Sequence, residues 1–273
     1  MTIRIGLIVI GFSLLWSACN RNKAHAPVAP PQNIPQLTDT FDLSDLSEES
    51  AYRDGLFDDF IYHFVSDADF QKSRILFPLP ISRFGKTFKK EESEWKFNHT
   101  PSNVMTYAML FTSKKNMELE KDTTINCVDV DCVYLPSDSV KKFSFCKVNQ
   151  EWRLKSIHVD RFSKHKHGDF YQFYGQFVTD STFQFKHIRN PFIFETEDEY
   201  SNEIIEGSVN AEAWPEYSPD LPSDVLVCIH YESARPKTTL RYLVITNLSE
   251  GLSSTLRFES FRNQWKLTHL ENY

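Results

Sequence analysis

One pattern occurs twice in this chain, and it limits what the chain can fold into. Phe57, Phe60, Phe64, Val65, Asp67, Phe70, Gln71, Ile75 and Pro78 recur as Phe170, Phe173, Phe177, Val178, Asp180, Phe183, Gln184, Ile188 and Pro191, each 113 positions later with no gap. The far ends agree at the same offset: Phe145 with Phe258, Trp152 with Trp265, and Leu154 with Leu267. Between them the register slips, and 199–222 is a longer insertion carrying Trp214. A chain of 273 residues therefore reads as two ordinary units rather than one large one.

Within each copy the apolar period changes. Tyr52, Leu56, Phe57, Phe60, Ile61, Phe64 and Val65 recur at spacings of three and four, the stripe of a one-faced helix, with Ser47 as its expected N-cap. A break at Ser66 and Asp67 precedes a short second helix, which Pro78 and Pro80 end. From there the period is two: 104–111, 125–135, 141–148 and 152–159 read as strands, and so do 226–231, 240–246, 255–261 and 265–270 after a second helix pair. The order is helix, helix, antiparallel meander, twice. This is an α+β layout in which a curled sheet wraps a helix. The expected divisions are a leader at 1–18, a tether at 19–46, a first copy at 47–162 and a second at 163–273.

The leader has Arg4 followed by an apolar run from Ile5 to Trp16, too short to span a bilayer comfortably. It ends Ser17, Ala18, Cys19, which resembles the lipobox of bacterial lipoproteins, with Trp16 where that motif usually has Leu. The resemblance implies cleavage before Cys19 and lipid attachment there. The mature net charge becomes −8, from −7, because only Arg4 is lost. The tether, with Pro27, Pro30, Pro31 and Pro35, has no apolar period and should be extended. Surface-exported lipoproteins of the Bacteroides group tend to carry an acidic run after this Cys; the polar and basic residues here (Arg21, Lys23) depart from that pattern, and the departure implies a periplasm-facing anchor in the cell envelope.

An acidic chain with pI about 5.7 and no clustered Lys and Arg is a poor nucleic-acid binder. Of five cysteines, Cys127 and Cys132 point to opposite faces of one strand and cannot bridge; Cys132 and Cys146 face each other across a hairpin, with buried free thiols as the simpler reading.

The helix order, the Phe-rich first helix and the Trp-x-Leu last strand resemble an uncharacterised family of Bacteroides-type lipoproteins, whose domain of unknown function is similar to nuclear transport factor 2. Phe57 to Phe60, Asp67, Phe70, Gln71, Arg74 to Ile75, Phe77 to Leu79, Trp95, Lys96, Leu119 to Thr123 and Trp152 carry the match, which covers about residues 50–160. The resemblance implies a cone fold and no assigned activity. Cone folds host isomerases, dehydratases and non-catalytic binding modules, so fold alone decides nothing.

Candidate site residues are Asp67 and Asp180, each a helix cap or a carboxylate base in a pocket, and Arg74, which would pair with Asp67 and is replaced by His187 in the second copy. His158, Asp160, His165, His167 and Asp169 cluster between the copies, but Lys164 and Lys166 interleave, and the segment reads as a solvated linker rather than a metal site. Asp129 and Asp131 read as an exposed strand face, and the two Phe stripes as core. No nucleophile signature, phosphate loop or zinc-protease motif is present in the sequence. The expectation is a non-catalytic, membrane-anchored binding module without cofactor or metal, taking a small molecule, glycan or envelope protein. Trp214, Tyr217 and Tyr200 offer an aromatic patch. The alternatives are an isomerase or dehydratase using Asp67 or Asp180, and a structural component of an envelope complex.

Overall fold

A computed structural model describes residues 53–98, 106–198, 201, 203–232, 238–247 and 252–272. Cys19, the leader, the tether, Ser47, Tyr52 and Tyr200 lie outside them.

The helices follow the Phe stripes. Helix α1 (Phe57–Ser66) buries Phe57, Phe60 and Phe64, one face at helical spacing. It ends at Asp67, whose side chain starts α2 (Ala68–Ser73). In the second half α3 (Gly168–Thr179) buries Phe170, Phe173 and Phe177 together with Tyr171 and Tyr174. Asp180 then starts α4 (Ser181–Lys186).

The strands are β1 (Leu79–Arg83), β2 (Lys86–Lys90), β3 (Thr106–Phe111), β4 (Cys127–Tyr134), β5 (Ser139–Val148), β6 (Glu151–Arg161), β7 (Ile188–Glu197), β8 (Ile204–Val209), β9 (Val225–His230), β10 (Leu240–Asn247), β11 (Leu252–Phe261) and β12 (Gln264–Asn272). A short helix α5 (Trp214–Tyr217) lies between β8 and β9. The β1–β2 and β7–β8 pairs were not foreseen. Four of the five β2 residues are exposed, and β8 is exposed along nearly all its length. Edge strands with few inward side chains carry no alternating apolar signal.

All twelve strands form one sheet, in the order β2-β1-β6-β5-β4-β9-β3-β10-β11-β12-β7-β8. β4–β5–β6 and β10–β11–β12 are antiparallel meanders. At the centre the two halves exchange a strand. β9 pairs with β4, β3 pairs with β10, and β3 and β9 lie parallel to each other.

The exchange puts two cores on opposite faces of the same central strands. Ala108 and Leu110 of β3 join the core around α3, while Met109 and Phe111 join the core around α1. Leu226 and Cys228 of β9 face α3, and Val227 and Ile229 face α1. Side chains alternate along a strand, so a strand covered on both sides must be apolar at consecutive positions. The runs Met109 to Phe111, Leu226 to Ile229 and Leu243 to Ile245 meet that demand.

One sulfur pairing differs from expectation. Cys127 and Cys146, opposite each other on β4 and β5, form the disulfide, whereas Cys132 and Cys228 are buried free thiols. The buried-thiol reading thus holds for Cys132 and Cys228 and fails for Cys127 and Cys146; the alternative Cys132–Cys146 bridge is out of reach, because Cys132 is opposite Lys141 and Cys146 lies further along the hairpin.

Candidate functional site

The residues singled out in the sequence do not meet at one site. Asp67 Oδ1 accepts from the Asp69 and Phe70 backbone N–H groups at 2.9 Å each, and Asp180 Oδ1 accepts from Thr182 and Phe183 at 2.9 and 3.0 Å. Both are exposed helix caps. Arg74 does not pair with Asp67. Its guanidinium donates to both carboxylate oxygens of Asp54, at 3.1 and 2.9 Å, with both residues 7% exposed. Asp54 also accepts from the Trp152 backbone N–H at 2.9 Å, which ties the chain before α1 to β6. His187 stacks on Phe183 with ring centroids 3.8 Å apart, and its Nδ1 lies 2.8 Å from the Phe183 carbonyl.

The concave opening lies elsewhere. Directly paired residues on neighbouring strands share a face. One row on the α1 side runs Phe88, Ile81, Ile157, Phe143; the next runs Lys86, Arg83, Val159, Lys141. Phe143 belongs to the core under α1, but the outer parts of both rows continue beyond it. They floor a cavity of about 560 Å³ that also reaches Tyr134 and Lys90. One wall is the segment from Trp95 to Asn98.

A single buried side chain holds that wall. Gln71 of α2, fully buried, donates to the Phe64 and Asn98 carbonyls at 2.9 Å each. Its own oxygen accepts from the Asn98 N–H at 2.9 Å and from Trp95 Nε1 at 3.2 Å. The cavity lining contains Arg83, Lys90, Lys96 and Lys141 and no Asp, Glu, His or Cys among the described residues. Burial holds the Lys141 ammonium below its ordinary pKa, and Lys90 adds to the shift.

The matching region of the second half is filled. Ile81, Phe143 and Ile157 correspond at the 113-residue offset to Phe194, Leu256 and Leu270. There α5 packs down: Trp214, 2% exposed, lies 5.8 Å from Phe192 and 6.2 Å from Phe177 between ring centroids. Tyr217 lies 4.8 Å from Phe194. Trp214 is therefore a plug and not part of an exposed aromatic patch. A smaller hollow of about 390 Å³ includes His187, Asp169 and Trp265.

Sequence reasoning missed a buried polar cluster at the central seam. Asp131 of β4 is fully buried, not on an exposed face. Its Oδ2 accepts from the Tyr171 hydroxyl at 2.8 Å and lies 2.9 Å from His230 Nε2 and 3.1 Å from His165 Nε2. His167, 2% exposed, stacks on His230 at 4.6 Å. The segment read as a solvated linker thus turns inward, because the exchange of β3 and β9 brings α3 across the back of β4. His158 and Asp160 stay on β6 and line a separate hollow of about 300 Å³ beside His165. Burial depresses the His167 and His230 pKa values. Burial works against the Asp131 charge, but His230 and His165 outweigh it and hold that carboxyl well below its usual range. Among the described residues, no group of three His, Cys, Asp or Glu side chains is arranged to hold a metal ion. The available signal was the apolar density of β9, which demands cover on both faces and so buries whatever polar residue stands in line.

A family model described as a domain of unknown function, DUF4348, matches residues 39–272. The chain is also similar to a solved NTF2-like protein from Bacteroides fragilis NCTC 9343, at 31% identity and a TM-score of 0.73, over 80% of this chain and 96% of that one. No curated protein matches it.

Proposed function

The chain belongs to the DUF4348 family, and from that premise we propose that it is a lipid-anchored cell-envelope protein whose first half binds a small molecule without transforming it. The observation that carries the binding role is the open cavity of about 560 Å³, within the range of ligand pockets. Its lining includes cations and aromatic residues but no described residue suited to act as a carboxylate or imidazole base. Asp67 and Asp180, the candidates for an isomerase or dehydratase, both cap helices and neither lines the cavity. The lipid anchor rests on the leader and Cys19. The Cys127–Cys146 disulfide supports an oxidising compartment, as the periplasm is. No described helix is long and apolar enough to cross a membrane, and an acyl anchor requires none.

Two measurements test this. Cys19→Ser should move the protein from the membrane fraction to the soluble fraction; persistent membrane association would sink the anchor. In a thermal-shift screen of small molecules, hits should lose their effect in Val159→Trp, which fills the cavity floor. Hits that stabilise both proteins equally would place binding outside the cavity.

A further inference from the structure

We propose that the cavity of the first half recognises a soluble organic anion carried on an apolar or aromatic body. This rests on the small-molecule reading above and adds the ligand's chemistry. The charge of the cavity runs against that of the chain: the protein as a whole carries −7, yet Arg83, Lys90, Lys96 and Lys141 all line this one hollow. No described carboxylate lies within ion-pair distance of any of the four.

Three of these cations rest on aromatic faces instead, Arg83 standing 5.9 Å from the Phe84 ring centroid. Lys141 Nζ stands 4.7 Å from the Phe143 ring centroid, and Lys90 Nζ 5.4 Å from that of Trp95. Lys141 is half-buried in the middle of the sheet, between Cys132 and Val159 in the pairing. A flat anionic surface would not reach a group in that position, whereas a small molecule entering the hollow would. Partly desolvated ammonium groups near one another and without a counter-charge are stabilised when an anion arrives. The apolar share of recognition falls to Ile81, Ile157 and Val159 on the floor and Trp95 on the wall. The ligand's charged end therefore lies toward Lys141 and Lys90, with its body along the first row and under the indole.

The test uses three probes with the same body: 2-naphthoate, naphthalene-2-methanol and 2-naphthylmethylammonium, titrated into the full chain by calorimetry at neutral pH. The expected order is naphthoate tightest, the alcohol at least about tenfold weaker, and the ammonium weakest. Lys141→Met keeps the stem over Phe143 and removes the charge; it should weaken naphthoate toward the level of the alcohol and leave the alcohol unchanged. Lys90→Gln, at the rim, should weaken naphthoate in the same direction and provides the readout if Lys141→Met does not fold. Equal affinity for naphthoate and the alcohol would overturn anion recognition while leaving the cavity a binding site. Failure of all three probes to bind the wild-type chain would overturn both readings.

Discussion

At the scale of single residues, the seam between the halves buries Asp131, His167 and His230 against one another. His167 is buried against His230, and neither of its ring nitrogens has a hydrogen-bond partner among the described residues. Protonating it would bury a charge and place it near His230, Lys166 and His165, with Asp131 opposing them. Cys228 and Tyr171, which also face the cluster, are held neutral by burial. In the unfolded chain both histidines titrate near pH ~6.5, while folding depresses the values of His167 and His230. Below that pH the unfolded state binds more protons, so stability is full above pH ~6.5 and is lost on acidification, by up to about 1.4 kcal/mol per pH unit for each histidine. Thermal melts from pH 7.5 to 5 should show this fall, and His167→Phe, which keeps a ring of similar size, should flatten it. An unchanged slope in that variant would show that His167 does not contribute to the pH response.

At the scale of elements, the two short helices α2 and α4 show how a repeated acidic residue takes a structural role. Asp67 and Asp180 each accept two backbone N–H bonds at the start of a six-residue helix. Asp67→Ala and Asp180→Ala should each cost about 1 kcal/mol in urea unfolding, and the effects should add, because the caps belong to different cores. Naphthoate binding should be unaffected in both variants; a loss of binding in Asp67→Ala at unchanged stability would restore that residue as a site candidate. α5 is an element of another kind. It fills in the second half the space that is open in the first, with Trp214 packed against Phe192 and Tyr217 against Phe194.

At the scale of the whole molecule, the exchange of β3 and β9 makes the halves interdependent. The α1 core includes Val227 and Ile229 from β9 and Tyr242 and Val244 from β10. The Tyr231 hydroxyl reaches back to donate to Asp58 of α1 at 2.7 Å. Residues 47–162 alone would lose these groups and leave β4 as an unpaired edge, a surface prone to association. Expressed separately, that fragment should be unfolded or oligomeric by amide NMR and gel filtration. Co-expression with 163–273 should recover a folded complex. A monomeric fragment with a well-dispersed spectrum would show that the exchange is not required for folding.

The sequence by itself determined the helices α1 to α4 and the meander strands β4 to β6 and β10 to β12, because each is written in spacings of two, three or four residues, and the Phe stripes of α1 and α3 entered the core as that spacing required. Only the tertiary structure decided what lies across the back of β4. Strand pairing between residues 91 to 141 positions apart leaves no local period, so the exchange of β3 and β9 was not legible, and neither was the burial of Asp131, His167 and His230 that follows from it. The partner of Arg74 was hidden for a related reason: the guanidinium pairs with the carboxylate that packing brings to it, which is Asp54, twenty positions away, and not Asp67, seven positions away. The 113-residue repeat made both halves look alike, and the packing of Trp214 against Phe192 made them different, leaving the first with the open, cation-lined cavity.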